Sequence, residues 1–284
     1  MRKAIIGAIF LVVAATSAAI HYKARNMLEI NFLIGENIVE TAKKTNIPEF
    51  NVSNTNGSLH YQVMQLPSDA VAVYNRKEFE IRTSPVFSIN FWADRSRSKI
   101  NAVHAFQVKI DTQKITSHRA AREFIDSIIS QFNKGQWQRR ISTYCPAITG
   151  RSVFLNADGA LDSDGCALDP TFSMNQDEWI NLFANQQNFE WLGEGVFAQL
   201  SILYNDRTPQ PIYEIVLLFE DYKTKLTIIR DNETRRLELG DAKGWKSSAI
   251  NAQELIATKE TIKILEANAV KRGDKVLVRV EDPK

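Results

Sequence analysis

Residues 189–229 read FEWLGEGVFAQLSILYNDRTPQPIYEIVLLFEDYKTKLTII, two apolar runs around a turn-rich break at 205–211. In the first run Ala198, Leu200, Ile202 and Tyr204 share one parity, and Gln199 and Ser201 take the other. In the second, Tyr213, Ile215, Leu217 and Phe219 alternate with Glu214, Val216, Leu218 and Glu220. A period of two carried by aromatic and β-branched residues predicts strands, here a long hairpin with one buried face. Upstream, Phe79-Glu80, Val86-Phe87 and Asp94-Arg95 echo Phe189-Glu190, Val196-Phe197 and Asp206-Arg207. The echo marks either two related sheet-plus-helix units or the pattern shared by any two amphipathic hairpins.

Working outward, residues 70–74, 78–82, 86–93 and 102–110 are further strand candidates. In these, Phe87, Ile89 and Phe91 fall on one side, and His104, Phe106, Val108 and Ile110 on one side. Such one-sided strands suit an antiparallel sheet with one covered face. The cover is a helix capped by Thr116 or Ser117, with Ala120, Phe124, Ile125, Ile128, Ile129 and Phe132 at helical spacing and Gly135 as its left-handed stop. Residues 173–176 read as a capping box opening a short helix through Trp179, Ile180, Leu182 and Phe183. A charged turn at 231–233, a short strand near 237–239, a helix over 251–269 and an edge strand over 275–281 complete the reading. The predicted fold class is α+β, antiparallel sheets with helices packed on one face, after an N-terminal apolar helix.

That first helix rests on Met1-Arg2-Lys3 followed by residues 4–20, AIIGAIFLVVAATSAAI, which carry no charge. A basic start, an apolar run and small residues near its end predict export, as a signal peptide or a transmembrane anchor over residues 1–20. His21, Lys23 and Arg25 oppose translocation of the segment's end, yet the helical spacing that follows it favours a retained inner-membrane anchor with a periplasmic body; a cleaved, soluble form is the alternative. Helical spacing of Leu28, Phe32, Ile38, Val39 and Ala42 extends the anchor into a stalk over 21–47, and NVSNTNGS at 51–58 reads as a linker. The body then divides into a first α+β unit at 59–135, a disulfide-stapled connector with a short helix at 136–188, and a second α+β unit at 189–284.

The chain has 284 residues, 44% of them apolar, enough for a substantial core. Without Arg2 and Lys3 the basic count falls from 35 to 33, equal to the 33 acidic residues. A balanced body lacks the basic footprint of a nucleic-acid binder. Cys145 and Cys166 are the only cysteines, and export predicts that they pair.

Chemistry-bearing patterns are sparse. His21, His60, His104 and His118 are scattered and stand at no metal-ligand spacing. The Asx-rich run 156–165 resembles a calcium loop, but Ala160 occupies the first ligand position and Thr171 stands where the bidentate Glu belongs, so turn formation is the reading taken. Ser96 and Lys99 match S-x-x-K, yet lie in a break between strands and not on the helix that motif requires. Glu190 and Glu194 could form an acid pair beside Trp191, and these three residues are the candidate partner or ligand surface. No catalytic residue, metal or cofactor is expected. Export, neutral charge and one-sided sheets point to a non-enzymatic envelope protein that binds another protein, such as an immunity protein or inhibitor of a periplasm-acting toxin. The alternatives are an envelope-polymer hydrolase and an accessory subunit of a secretion or assembly machine.

Overall fold

The structure, a computed structural model, describes residues 28–163, 165–205 and 210–279. The apolar segment 1–20, the start of the expected stalk, residues 206–209 of the break and the end of the last expected strand lie outside the described residues. Among the described residues no helix is long and apolar enough to cross a membrane.

In chain order the elements are β1 (Glu29–Phe32), α1 (Ile38–Lys44), β2 (Asn51–Thr55), β3 (Ser58–Val63), β4 (Val71–Tyr74), β5 (Ile81–Thr83), β6 (Val86–Asp94), β7 (Val103–Ile110), α2 (His118–Lys134), β8 (Gln138–Arg139), α3 (Gln176–Phe183), β9 (Gln187–Gly193), β10 (Val196–Asn205), β11 (Ile212–Asp221), α4 (Tyr222–Ala242) and α5 (Ser247–Lys271), with single 3-10 turns at Lys77–Phe79 and Gly150–Phe154. Eight strands form one antiparallel sheet in the order β2-β3-β6-β7-β11-β10-β9-β8, and β1, β4 and β5 form a smaller sheet in which β1 runs parallel to β4. The fold is α+β, as the alternation predicts. Because β7 pairs with β11, the larger sheet continues from the strands of residues 59–135 into those of 189–284.

The covered face of the large sheet is built from the predicted parity: Ala198, Leu200, Ile202 and Tyr204 on β10 and Tyr213, Ile215, Leu217 and Phe219 on β11 are all buried. The small sheet sits over its middle, where Phe32 stacks on Phe106 at 3.7 Å and Tyr74 on Phe219 at 4.9 Å. Helix α2 covers β9, with Phe132 stacked on Trp191 at 3.9 Å. Ser117 caps α2 by accepting from the Ala120 amide.

Several local expectations are corrected. The stalk helix is replaced by β1 and α1: Ile30 and Phe32 alternate with half-exposed neighbours and enter the core, a period-two pattern that the Leu28/Phe32 spacing disguised. The linker at 51–58 is the hairpin of β2 and β3, with Asn56 and Gly57 both at positive φ in its turn. The buried face of α2 is rotated, taking Ala121 and leaving Phe124 half-buried. Gly135 is extended, not left-handed; a Cβ there would lie 2.7 Å from the Glu78 carbonyl oxygen, so it is close backbone approach that needs glycine. A register shift at β7 turns His104 away from the side of Phe106 and puts Val103 in its place, and another at the start of β6 separates Phe87 from Ile89 and Phe91. The capping box of α3 is Asn175 with Glu178, two residues later than expected. The expected turn and strand at 231–239 are interior to α4, whose N-cap Asp221 accepts from the Thr224 amide at 2.7 Å. Of the expected strand at 275–281, the described residues 275–279 supply an isolated bridge, Val276 to Ile148, and Val278 is 95% exposed. In the echo, Val86 and Val196 both open strands, whereas Phe79 lies in a 3-10 turn and Phe189 in β9.

Cys145 and Cys166 are disulfide-bonded, 21 residues apart in sequence. The loop they close is better packed than its polar composition suggests, since Ala147, Ile148, Val153 and Phe154 are buried. The carboxylate of Asp169, 2% exposed, accepts from the Gly150 amide at 2.7 Å and lies 3.7 Å from Arg139, whose guanidinium donates to the Ile148 and Ala167 carbonyls.

Two stability measurements follow from this packing. Phe132→Ala is expected to cost about 3–5 kcal/mol in urea unfolding, as for a buried aromatic, while Phe124→Ala costs less than half as much; equal losses would place the wrong face of α2 in the core. Cys145→Ser is expected to lower stability by roughly 3 kcal/mol on the chain-entropy estimate for a loop of this length, and mass spectrometry of unreduced, alkylated wild-type protein should find neither cysteine modified.

Candidate functional site: the open face of the sheet

The residues of opposite parity form the second face of the large sheet. Strand register aligns them in rows. One row runs Gln62, Asn90, Gln107, Leu218, Gln199, Glu190. The next runs Ser88, Lys109, Val216, Ser201, Asn188. Neighbours along these rows hydrogen-bond: the Asn90 amide donates to Gln107 Oε1 at 3.1 Å, Gln199 to Glu190 at 3.2 Å, and the Ser201 hydroxyl to Asn188 at 2.6 Å. Between them Leu203, Val216 and Leu218 stand half-exposed. Gln107, Gln199, Ser201 and these apolar residues line a shallow depression of about 290 Å³.

The charges beside the uncharged patch of Gln107, Gln199, Ser201, Val216 and Leu218 are paired, with Lys109 standing in the second row and Glu214 lining one side of the depression. Lys109 meets Glu214 at 2.9 Å, with both side chains well exposed. Arg140 meets Glu190 at 2.9 Å. Lys225 pairs with Glu220 and places its ammonium 4.1 Å from the centroid of the Phe197 ring. Phe197 is buried on this face beneath Arg140, Tyr222 and Lys225. Burial works against the charge of Arg140, but its hydrogen bonds to Tyr222 and Glu190 outweigh burial and raise its pKa.

At the end of the sheet where α4 starts, His104 lines a cavity of about 170 Å³ with Asp94, Arg97, Asp221 and Thr224. Among the described residues its buried Nδ1 has no hydrogen-bond partner. Burial lowers the pKa of His104 below the 6.5 of a free imidazole, against the pull of Asp94, Glu220 and Asp221. Nearby, Ser96 donates its hydroxyl to Asp94 at 2.6 Å within the β6–β7 turn, while Lys99 is exposed.

The three residues of the expected surface occupy three environments. Trp191 is inside the core, on the covered face, and presents no surface. Glu190 is on the open face, held by Arg140 and Gln199. Glu194 sits in the two-residue turn between β9 and β10 at positive φ and pairs with Arg76. The two carboxylates therefore do not share a strand face, and each is bound to its own arginine. Cys145 and Cys166 form the disulfide. His118 Nδ1 lies 2.6 Å from the Tyr213 hydroxyl, and His60 stacks on Trp92 at 5.0 Å. Asn156 Oδ1 accepts from the Asp158 and Ala160 amides, the turn-forming role read from the sequence. Among the described residues no group of three or more His, Cys, Asp or Glu side chains is placed to hold a metal ion. The open-face residues were half visible in the sequence as the off-parity positions of β10 and β11; the rows that join them to β6, β7 and β9 exist only in the pairing register.

No protein-family model matches the chain, and no curated protein or solved structure matches it.

The lowered pKa of half-buried His104 has a measurable consequence. The unfolded imidazole takes up a proton as pH falls through 6.5, while folded His104, with its lowered pKa, takes one up only at lower pH. Unfolding then binds a proton, so stability falls from pH 6.5 down to the folded-state pKa and levels off below it. His104→Gln should remove that part of the acid sensitivity, seen as a flatter melting-temperature profile below pH 6.5 than the wild type shows.

Proposed function

We propose that this is a non-enzymatic exported protein that binds another protein through the open face of its large sheet. The observation that carries the reading is the distribution of charge on that face. Protein interfaces are depleted of charge at their centres and polar at their rims, and here Gln107, Gln199, Ser201, Leu203, Val216 and Leu218 form an uncharged centre bordered by the Lys109–Glu214, Arg140–Glu190 and Lys225–Glu220 pairs. The sheet also has the breadth. Eight strands at a spacing of roughly 4.8 Å span about 34 Å, room for the ~800 Å² per partner that a stable complex buries.

The disulfide fits an oxidising compartment outside the cytoplasm. Within that setting the reading is a periplasmic body, anchored through residues 1–20 if that segment is retained, acting as an immunity protein or inhibitor of a toxin that works there. The open face is broad and preformed, with an uncharged patch at its centre, and suits such a partner surface.

Affinity capture from the native envelope, followed by titration of the captured partner, tests the reading. Leu218→Arg puts an unpaired charge at the centre of the face and is expected to weaken binding at least about 10-fold, which is ~1.4 kcal/mol, with an unchanged melting temperature. Binding that survives Leu218→Arg and Gln199→Arg would remove the open face from the interface. Release of soluble fragments from envelope polymers by the purified protein would replace the reading with the hydrolase alternative.

A further inference from the structure

The two edges of the eight-stranded sheet are unlike. One edge is β8, two residues long, and Arg139 within it is tied to the connector through the Ile148 and Ala167 carbonyls. The other is β2, five residues whose side chains are all exposed. Edge strands are ordinarily blunted by lysine, proline, a bulge or a covering element, because their outer row of amides and carbonyls accepts another strand. Asn51, Val52, Ser53, Asn54 and Thr55 carry none of these residue types, and their pairing with β3 is unbroken by a bulge.

The register shows which groups point outward. The turn of the β2–β3 hairpin is the two-residue Asn56-Gly57, closed by Thr55 opposite Ser58. Such a turn closes on a hydrogen-bonded pair, and bonded and non-bonded pairs alternate along an antiparallel ladder. Thr55, Ser53 and Asn51 therefore bond β3, while Val52 and Asn54 turn their amides and carbonyls away from the sheet. The same alternation continues across β3, where the Gly57 carbonyl accepts from the Arg95 amide on the side of β6.

We infer that β2 is a self-association edge that pairs antiparallel with β2 of a second copy of this chain about a two-fold axis at Ser53. In that register Val52 of one copy bonds Asn54 of the other, twice over. Ser53 faces Ser53 in a non-bonded pair, and Asn51 faces Thr55. Every facing pair is uncharged, so the strand is complementary to itself. A second β2 is also already ordered by its own β3, whereas a free peptide would lose conformational entropy on adding to the edge. Since the β8 edge is short and tied down, pairing through β2 closes as a dimer and does not propagate into a filament. A five-residue strand pair covers much less than the ~800 Å² per partner of a standard interface, so the dimer is weak and depends on concentration. An axis perpendicular to the sheet puts both open faces on the same side, forming one sheet of sixteen strands. The inference does not depend on those faces binding a partner.

Three measurements on the full chain test it. In sedimentation, wild-type protein should convert reversibly from one copy to two as concentration rises. Ser53→Lys, which sets two ammonium groups opposite each other at the axis, should remain a single copy at the same concentrations with an unchanged melting temperature. Under mild oxidation Ser53→Cys should form a covalent dimer at least 10-fold faster than Asn51→Cys, whose facing residue is Thr55. Amide exchange at Val52 and Asn54 should slow with concentration while that at Ser53 stays constant. A wild type that remains one copy at every soluble concentration, a dimer that survives Ser53→Lys, or equal cross-linking of the two cysteine variants would overturn the inference. So would an edge that takes up an unrelated extended peptide in preference to a second copy.

Discussion

The aromatic seam between the two sheets is the constraint on which the other features depend. Phe32 from β1 stacks on Phe106 from β7, Phe106 stacks on Phe91 of β6 at 5.3 Å, Tyr74 from β4 stacks on Phe219 of β11, and Phe132 from α2 stacks on Trp191 of β9. These contacts join the small sheet, the large sheet and α2. Each buried ring contributes roughly 1.5–3 kcal/mol from apolar burial alone, with a further fraction from ring geometry. The seam also explains why the amino-terminal part of the described chain is a strand. Phe32 is needed over Phe106, and only a period-two element brings it there together with Ile30.

Because the seam uses a single parity of β6, β7, β9 and β11, it fixes the character of the other face. Residues of the second parity are excused from the core and can be chosen for surface properties. They are amides, hydroxyls and medium-sized aliphatics in the middle and neutralised ion pairs outside. Trp191 and Glu190 are adjacent in sequence and on opposite sides of the sheet for the same reason. A sequence argument that groups neighbours into one site fails in a strand, where adjacent side chains diverge.

The long strands were legible because β10 and β11 are each ten residues long with one apolar face, so register hardly affects the reading. The same holds for α2, whose stripe is legible apart from a rotation that exchanges Ala120 for Ala121 and leaves Phe124 half-buried. Elements without an apolar face were lost. The side chains of β2 are all exposed, and the Asn56-Gly57 turn that marks its hairpin is hidden within a polar cluster. α4 exposes most of its length and shows no apolar stripe, so its charged middle resembled a turn. The face of His104 is not legible in the sequence, because a bulge changes parity within a strand and leaves no mark in residue types. The open face, the candidate site, was legible one strand at a time but not as a surface, since rows across a sheet depend on long-range register.

The disulfide acquires a wider role from its neighbours. Arg139 and Asp169 are taken out of water, and such a pair adds specificity of arrangement more readily than stability. Here it holds the connector against β8, with Asp169 also gripping the Gly150 amide and Thr171. The same connector carries Val153, which with Tyr144 and Pro146 lines a groove against Ile262 and Leu265 of α5. Arg279 reaches back to the Ser142 carbonyl and to Glu266. The α4–α5 hairpin is thus seated on the disulfide-closed loop. Asn251, Leu255, Thr258, Ile262, Leu265 and Ala269 form its inner seam at heptad spacing, apolar at the loop end and polar at the tip, where Asn251 meets Glu233. The seam therefore strengthens toward the body. A bond between Cys145 and Cys166 restrains the loop that receives it, and through that loop it restrains the direction in which the exposed half of the hairpin projects.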